Sequence, residues 1–166
     1  MLDTMTRYLA GVAANADRQS LRQVLAPVVD RYASLPLNSA GLVIKAGGGV
    51  LAKTGAADFY AVANGTLVKI AAGTDMPSLL GLVITANSFN VACFFIDSAA
   101  VVTVAFGTQA TTIGGVVWPQ FPAQKSLVGF LLITHSSTFT GNTTPLDTAT
   151  TVFVNATSGF DPTVRL

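Results

Sequence analysis

The stretch Asp58 to Ala71, DFYAVANGTLVKIA, constrains this chain more than any other. Two apolar-rich runs flank Asn64-Gly65, and both turn residues tolerate positive φ. A two-residue type I′ loop needs that tolerance, because its twist matches the twist of the strands it joins. The stretch predicts a hairpin with arms Phe59 to Ala63 and Thr66 to Ala71. From about residue 40 onward the chain keeps this character: short strands, small turns, few charges.

Leu42 to Ala46 reads as a strand, Gly47-Gly48-Gly49 as a turn, and Val50 to Lys53 as a second short strand. Gly73 to Pro77 is a loop. Leu79 to Thr85, Phe89 to Ile96 and Val101 to Phe106 are apolar runs rich in Val, Ile and Phe, residues that suit a pleated, half-buried surface. Gly107 to Thr111 and Gly114-Gly115 punctuate, and Val116 to Trp118 stops at Pro119. Pro119 to Lys125 reads as a loop, with Trp118 and Phe121 packed under it. Leu127 to His135 is the most apolar run and is expected at the centre of a sheet. Ser136 to Thr148 is polar and turn-rich, and Thr150 to Asn155 is a last strand. About nine or ten strands at this spacing predict a mainly β fold, a β-sandwich or jelly-roll-like domain over residues 37–166.

Residues 1–36 read differently, as an N-terminal helical arm. Asp3 or Thr4 can cap its first turn. Met5, Tyr8, Leu9 and Val12 fall at helical spacing. After a break at Asn15 to Asp17 comes a stripe of Leu21, Val24, Leu25, Val28, Val29 and Tyr32. Arg18, Arg22, Asp30 and Arg31 lie off it. Pro27 predicts a kink, and Ser34-Leu35-Pro36 ends the helix. Seven of the first 35 residues are charged, and the remaining 131 hold ten. Two readings stand: an arm packed on its own sheet, or an arm reaching a neighbouring subunit. On the second, Leu21, Val24, Leu25, Val28 and Tyr32 are partner contacts, and Arg18, Arg22 and Arg31 pair with a partner's carboxylates.

Only 10% of residues are charged and 51% are hydrophobic, against about 25% charged in an average domain. Such a surface belongs either to a β protein covered in Thr, Ser and Asn or to one covered by partners. With a net charge of +1 and scattered basic residues, no nucleic-acid binding is expected. The single Cys93 excludes an internal disulfide and reads as a small buried apolar residue. No signal-peptide pattern opens the chain, so use or assembly in a reducing cytoplasm is expected. Charge-free windows at Met76 to Ile96, Ser98 to Gln124 and Ser126 to Leu146 are each broken by Gly, Pro, Asn, Thr or Ser. None is a clean stretch of about 20 apolar residues, and an outer-membrane barrel would need export. No membrane role is expected.

No catalytic, cofactor or metal site is expected either. Gly47-Gly48-Gly49 lacks the GK[ST] and helix start of a phosphate-binding loop. His135, the one histidine, has no HExxH or GxSxG around it and reads as a strand-end residue. Asp97 in FIDSA and Asp147 in PLDTA resemble the signature of aspartic proteases, whose two carboxylates share a proton. Alanine stands here where that family has glycine, and both aspartates read as turn caps. Asn64, Asn142 and Asn155 open glycosylation-type triplets that carry weight only in a secreted chain.

Lys53-Thr54, Phe59-Tyr60, Asn64-Gly65 and Lys69 to Ala72 lie within KAGGGVLAKTGAADFYAVANGTLVKIAAGTDM. This run, about a fifth of the chain, resembles the N-terminal part of structural proteins in tailed-bacteriophage particles. Those combine a small-residue strand, a K-T-x-A stretch, an aromatic-rich strand, an N-G or D-G turn and a strand ending in K-x-A-A. The resemblance implies a capsid decoration (cement) protein with no enzymatic activity. Such a protein would be assembled in the host cytoplasm and bound to the major capsid protein on the outer surface of the head. It would also bind itself, with a homotrimer favoured. A tail-fibre, neck or receptor-binding component is the alternative.

Overall fold

The computed structural model describes residues 32–157 and Gln19. The expected helical arm, with Arg18, Leu21, Arg22, Val24, Leu25, Val28 and Arg31, lies outside the described residues. From Ala33 onward the described residues belong to one compact unit.

That unit is mainly β. Its strands are β1 (Leu35–Pro36), β2 (Val43–Ile44), β3 (Ala52–Lys53), β4 (Phe59–Ala63), β5 (Thr66–Ile70) and β6 (Val83–Ile84). They continue with β7 (Phe89–Ile96), β8 (Val102–Phe106), β9 (Ser126–Thr134), β10 (Phe139–Thr140) and β11 (Thr150–Asn155). All pairings are antiparallel. One sheet has the order β11-β9-β7-β8 and a second has β1-β4-β5, while β2-β3 and β10-β6 form two-stranded pairs.

The hairpin forms as its turn chemistry predicts. Asn64 and Gly65 sit at φ 49° and 73°, and Ala63 faces Thr66 across the turn. Phe59, Ala61, Ala63, Val68 and Ile70 point inward and are buried.

Inside the four-stranded sheet, β7 and β9 carry near-continuous apolar runs because both faces of the sheet are covered. One face presents Ala92, Phe94, Ile96, Val128, Leu131 and Ile133 to a large cluster that includes the inner faces of β4 and β5. The opposite face presents Val91, Cys93, Phe95, Leu127 and Phe130 to a smaller cluster. Trp118 and Phe121 pack there from the connection after β8, as expected. The Trp118 ring meets Phe130 edge-on at 4.7 Å, and Phe121 meets Phe95 at 5.0 Å. A bulge serves this division. The register steps from Phe94↔Gly129 to Phe95↔Leu127, leaving Val128 as the extra residue. That residue turns into the larger cluster while Leu127 and Phe130 both stay on the smaller one. Gly129 is required at its position: a Cβ there would stand 2.6 Å from Val154 O and 2.7 Å from Leu42 Cδ1.

Several expected strands shrink. Only Val83–Ile84 of Leu79 to Thr85 is strand, because Leu82 N–H closes a turn on Leu79 O with Gly81 at φ 92°. Leu42 to Ala46 reduces to Val43–Ile44, since Ala46 O accepts from Gly49 N–H and starts the glycine turn. The polar stretch Ser136 to Thr148 contains β10, whose Phe139 is fully buried. Leu35–Pro36 forms an edge strand on β4. Leu37 N–H donates to Tyr60 O, so the alternating pattern turns the N–H-less nitrogen of Pro36 away from the sheet, where proline is tolerated.

Candidate functional site

The outward face of the β1-β4-β5 sheet is the candidate. Register places Leu35, Val62 and Leu67 in one cross-strand row and Tyr60 opposite Lys69 in the next. Leu37 continues β1 beside Tyr60. Leu67 is 64% exposed, Leu37 50% and Tyr60 38%. A sheet face turned to water normally alternates to polar residues, yet this one is apolar at Leu35, Val62, Leu67, Leu37 and Tyr60, with Lys69 as its one charged member.

Its one cation is neutralised locally. Lys69 Nζ lies 2.6 Å from Asp58 Oδ2 and 5.8 Å from the centre of the Tyr60 ring. The hydrogen bond from Lys69, then that from the Ala72 backbone, holds the Asp58 carboxyl below its ordinary range. The same hydrogen bond and charge raise Lys69. Asn38 ties the corner, donating to Asp58 O at 2.8 Å and accepting from Tyr60 N–H at 2.7 Å. The face is therefore held in shape by side-chain bonds at its rim and offers a neutral, greasy surface in between.

Of the residues singled out as partner contacts, Tyr32 alone is described, and it is 76% exposed. The expected stripe and arginines are outside the described residues. Sequence reasoning placed Leu35 at the end of a helix and Leu37 at the start of the β domain, and singled out neither as a site residue. The signal lay in the hairpin, where Tyr60, Val62 and Leu67 are apolar out of phase with the buried Phe59, Ala61 and Val68.

The other singled-out groups hold turns. Asp97 Oδ1 accepts from Ala99 and Val101 N–H, each at 3.0 Å, and closes the β7–β8 turn. Asp147 Oδ2 accepts from Gly48 N–H at 2.6 Å, capping the triple-glycine turn from 99 residues away. Each carboxylate is engaged in its own turn. His135 follows β9, and its Nδ1 takes Ser137 N–H at 3.1 Å and lies 2.9 Å from Ser137 Oγ. This is a local turn with no carboxylate bonded to the ring among the described residues. Cys93 is buried, and burial pushes its thiol pKa up, so the thiol stays protonated and inert. Among the described residues no three His, Cys, Asp or Glu come together, and no helix is long and apolar enough to cross a membrane. An open depression of about 460 Å³ is lined by Val43, Lys53, Thr54, Gly55, Ala56, Ala72 and Gly73. Lys53 is the one ionisable side chain lining it, and Thr54 Oγ1 is spent on Ala71 O and Thr74 N–H.

Comparison with protein-family models, curated proteins and solved structures finds no match for this chain.

Proposed function

We propose that this chain is a structural virion protein that decorates a tailed-phage capsid and stabilises it by bridging neighbouring capsid subunits. The observation that carries the reading is the neutral apolar face of the β1-β4-β5 sheet, exposed on a domain whose few charges are mostly paired. Lys45 pairs with Asp75 at 2.5 Å, Lys69 with Asp58 at 2.6 Å and Lys125 with Asp97 at 3.9 Å. Such a surface suits burial against another protein. The resemblance around the hairpin supplies the setting, a homotrimer with a major capsid protein as partner, and the strand and helix spacing of the sequence supplies the β-sandwich and helical arm that go with it.

The mechanism is additive burial. A specific contact commonly buries about 1,600 Å² in total. Repeated around a shell, moderate contacts resist internal pressure because a multivalent lattice raises effective concentration. Mass spectrometry of purified particles of the encoding phage tests the reading. Copies on the order of hundreds per particle, retained on DNA-filled heads after tails are sheared off, are expected. About a dozen copies or fewer, leaving with the tails, would replace it with the tail-fibre, neck or receptor-binding alternative.

A further inference from the structure

A two-residue hairpin loop bonds its flanking residues to each other and leaves the two loop N–H groups pointing off its end. In the β4–β5 hairpin the segment that leads into β1 takes both. Asn64 N–H donates to Ser34 Oγ at 3.0 Å, and Gly65 N–H donates to Ala33 O at 2.7 Å. The Asn64 side-chain amide has no partner among the described residues, and Asn64 and Gly65 are both exposed.

An asparagine followed by glycine holds a nucleophile and an electrophile side by side. The Gly65 nitrogen gives its proton to water and attacks the Asn64 side-chain carbonyl carbon, Cγ. The new N–Cγ bond closes a five-membered succinimide, and Nδ2 leaves as ammonia. Water then opens the ring. Breaking the new N–Cγ bond gives aspartate, and breaking the original backbone C–N bond of Asn64 gives isoaspartate. One water is consumed and one ammonia released, with no change of oxidation state. Gly65 has no side chain to crowd the attack, and a Cβ placed there would meet nothing within 4 Å.

We propose that Asn64-Gly65 is a self-deamidation site held in check by the docking of Ala33-Ser34 on the turn. The bond to Ala33 O favours the protonated Gly65 nitrogen and so disfavours the nucleophile. Together the two bonds hold the turn, with Asn64 at φ 49°, against the backbone rotation that ring closure needs. The check is removable. β1 is a two-residue edge strand, and its Pro36 has no N–H to give. Elements held by few bonds open locally at less cost than the whole fold. Opening frees Gly65 N–H while β4 and β5 stay paired, and the product is a lasting record of it. A carboxylate appears at the turn beside the row of Leu35, Val62 and Leu67. In the isoaspartate form an extra backbone methylene enters a loop built for two residues. The site is independent of the capsid reading, since it needs only the turn and its strap.

Asn142 is the internal comparison. It is also exposed, at φ 63°, but Thr143 follows, and a β-branched side chain crowds the same attack. Peptide mapping of the full chain incubated at neutral pH reads the mass gained at each asparagine, and an isoaspartyl methyltransferase detects the isoaspartate. Ser34→Ala removes one of the two acceptors and should speed the change at Asn64 in the folded chain about fivefold, the factor that one ordinary hydrogen bond is worth. Ser34→Thr keeps a hydroxyl and should restore the slow rate. In denaturant, with both bonds lost, Asn64 should change faster still, and Asn142 should lag behind it. Equal rates in the folded and unfolded chain, no acceleration in Ser34→Ala, or Asn142 keeping pace with Asn64 would overturn the proposal. Amide exchange in β7 and β9 should match between Ser34→Ala and the unsubstituted chain. Faster exchange throughout both strands would make the opening global and overturn the role of the strap.

Discussion

The β7–β9 pair and the β4–β5 hairpin are both apolar antiparallel pairs, but their side chains end in different places. Along β7, alternate residues enter two separate clusters, so each large side chain is accounted for inside the chain. The hairpin buries Phe59, Ala61, Ala63, Val68 and Ile70 the same way, yet leaves Tyr60, Val62 and Leu67 facing outward with Leu35 and Leu37. The difference separates apolar residues that build the fold from apolar residues the fold does not need. The second kind is where association is to be sought.

Truncating the first kind should cost most. Phe94→Ala removes a fully buried ring from the larger cluster, and a loss of about 3–5 kcal/mol in denaturant unfolding is expected. A loss below about 1 kcal/mol would mean that the doubly covered pair is not the core. Next comes the turn that ends β7. Asp97→Ala strips the acceptor from two backbone N–H groups and should cost about 1–2 kcal/mol. Asp97→Asn keeps an acceptor and should recover most of that loss. The Asn variant also tests the carboxylate-pair alternative, which loss of peptide cleavage with folding intact would revive.

Smallest is the pH response of the hairpin rim. Asp58 is held below its ordinary value of 3.8, so its contribution is present above that value and is lost as pH falls through the lowered one. Lys69 is raised above 10.5, so its contribution is present below that value and is lost as pH rises through the raised one. Between these limits the thermal midpoint should not respond to this pair, and Asp58→Asn should remove the acid-side loss. Both groups are on the surface, so the change is small beside that of Phe94→Ala.

The elements legible in the sequence are those specified locally. Asn64-Gly65 defines its own turn, and the runs at Phe89 to Ile96 and Leu127 to His135 are long and apolar enough to declare β7 and β9. Asp97 closes a turn within four residues of itself, which composition already suggests. The elements that were not legible depend on distant partners. β10 is two residues in a polar stretch, placed by pairing Phe139 with Ile84. Asp147 finds its role at Gly48, and Leu35 finds its row only when β1 docks on β4. Helix-ending signals at Ser34-Leu35-Pro36 do not specify the next element, because a proline is equally at home on an exposed strand edge. The outward face combines both cases: three of its residues lie in the legible hairpin, and two come from a strand visible only after folding.

Leu67→Lys reaches the central claim most directly. Leu67 is 64% exposed, so a lysine there should leave unfolding of the isolated chain within about 0.5 kcal/mol. Co-sedimentation with DNA-filled heads stripped of this chain is the measurement. The unsubstituted chain should pellet with the heads, and the Leu67→Lys chain should stay in the supernatant. Equal pelleting of both, or neither binding, would contradict the assignment of this face to capsid docking.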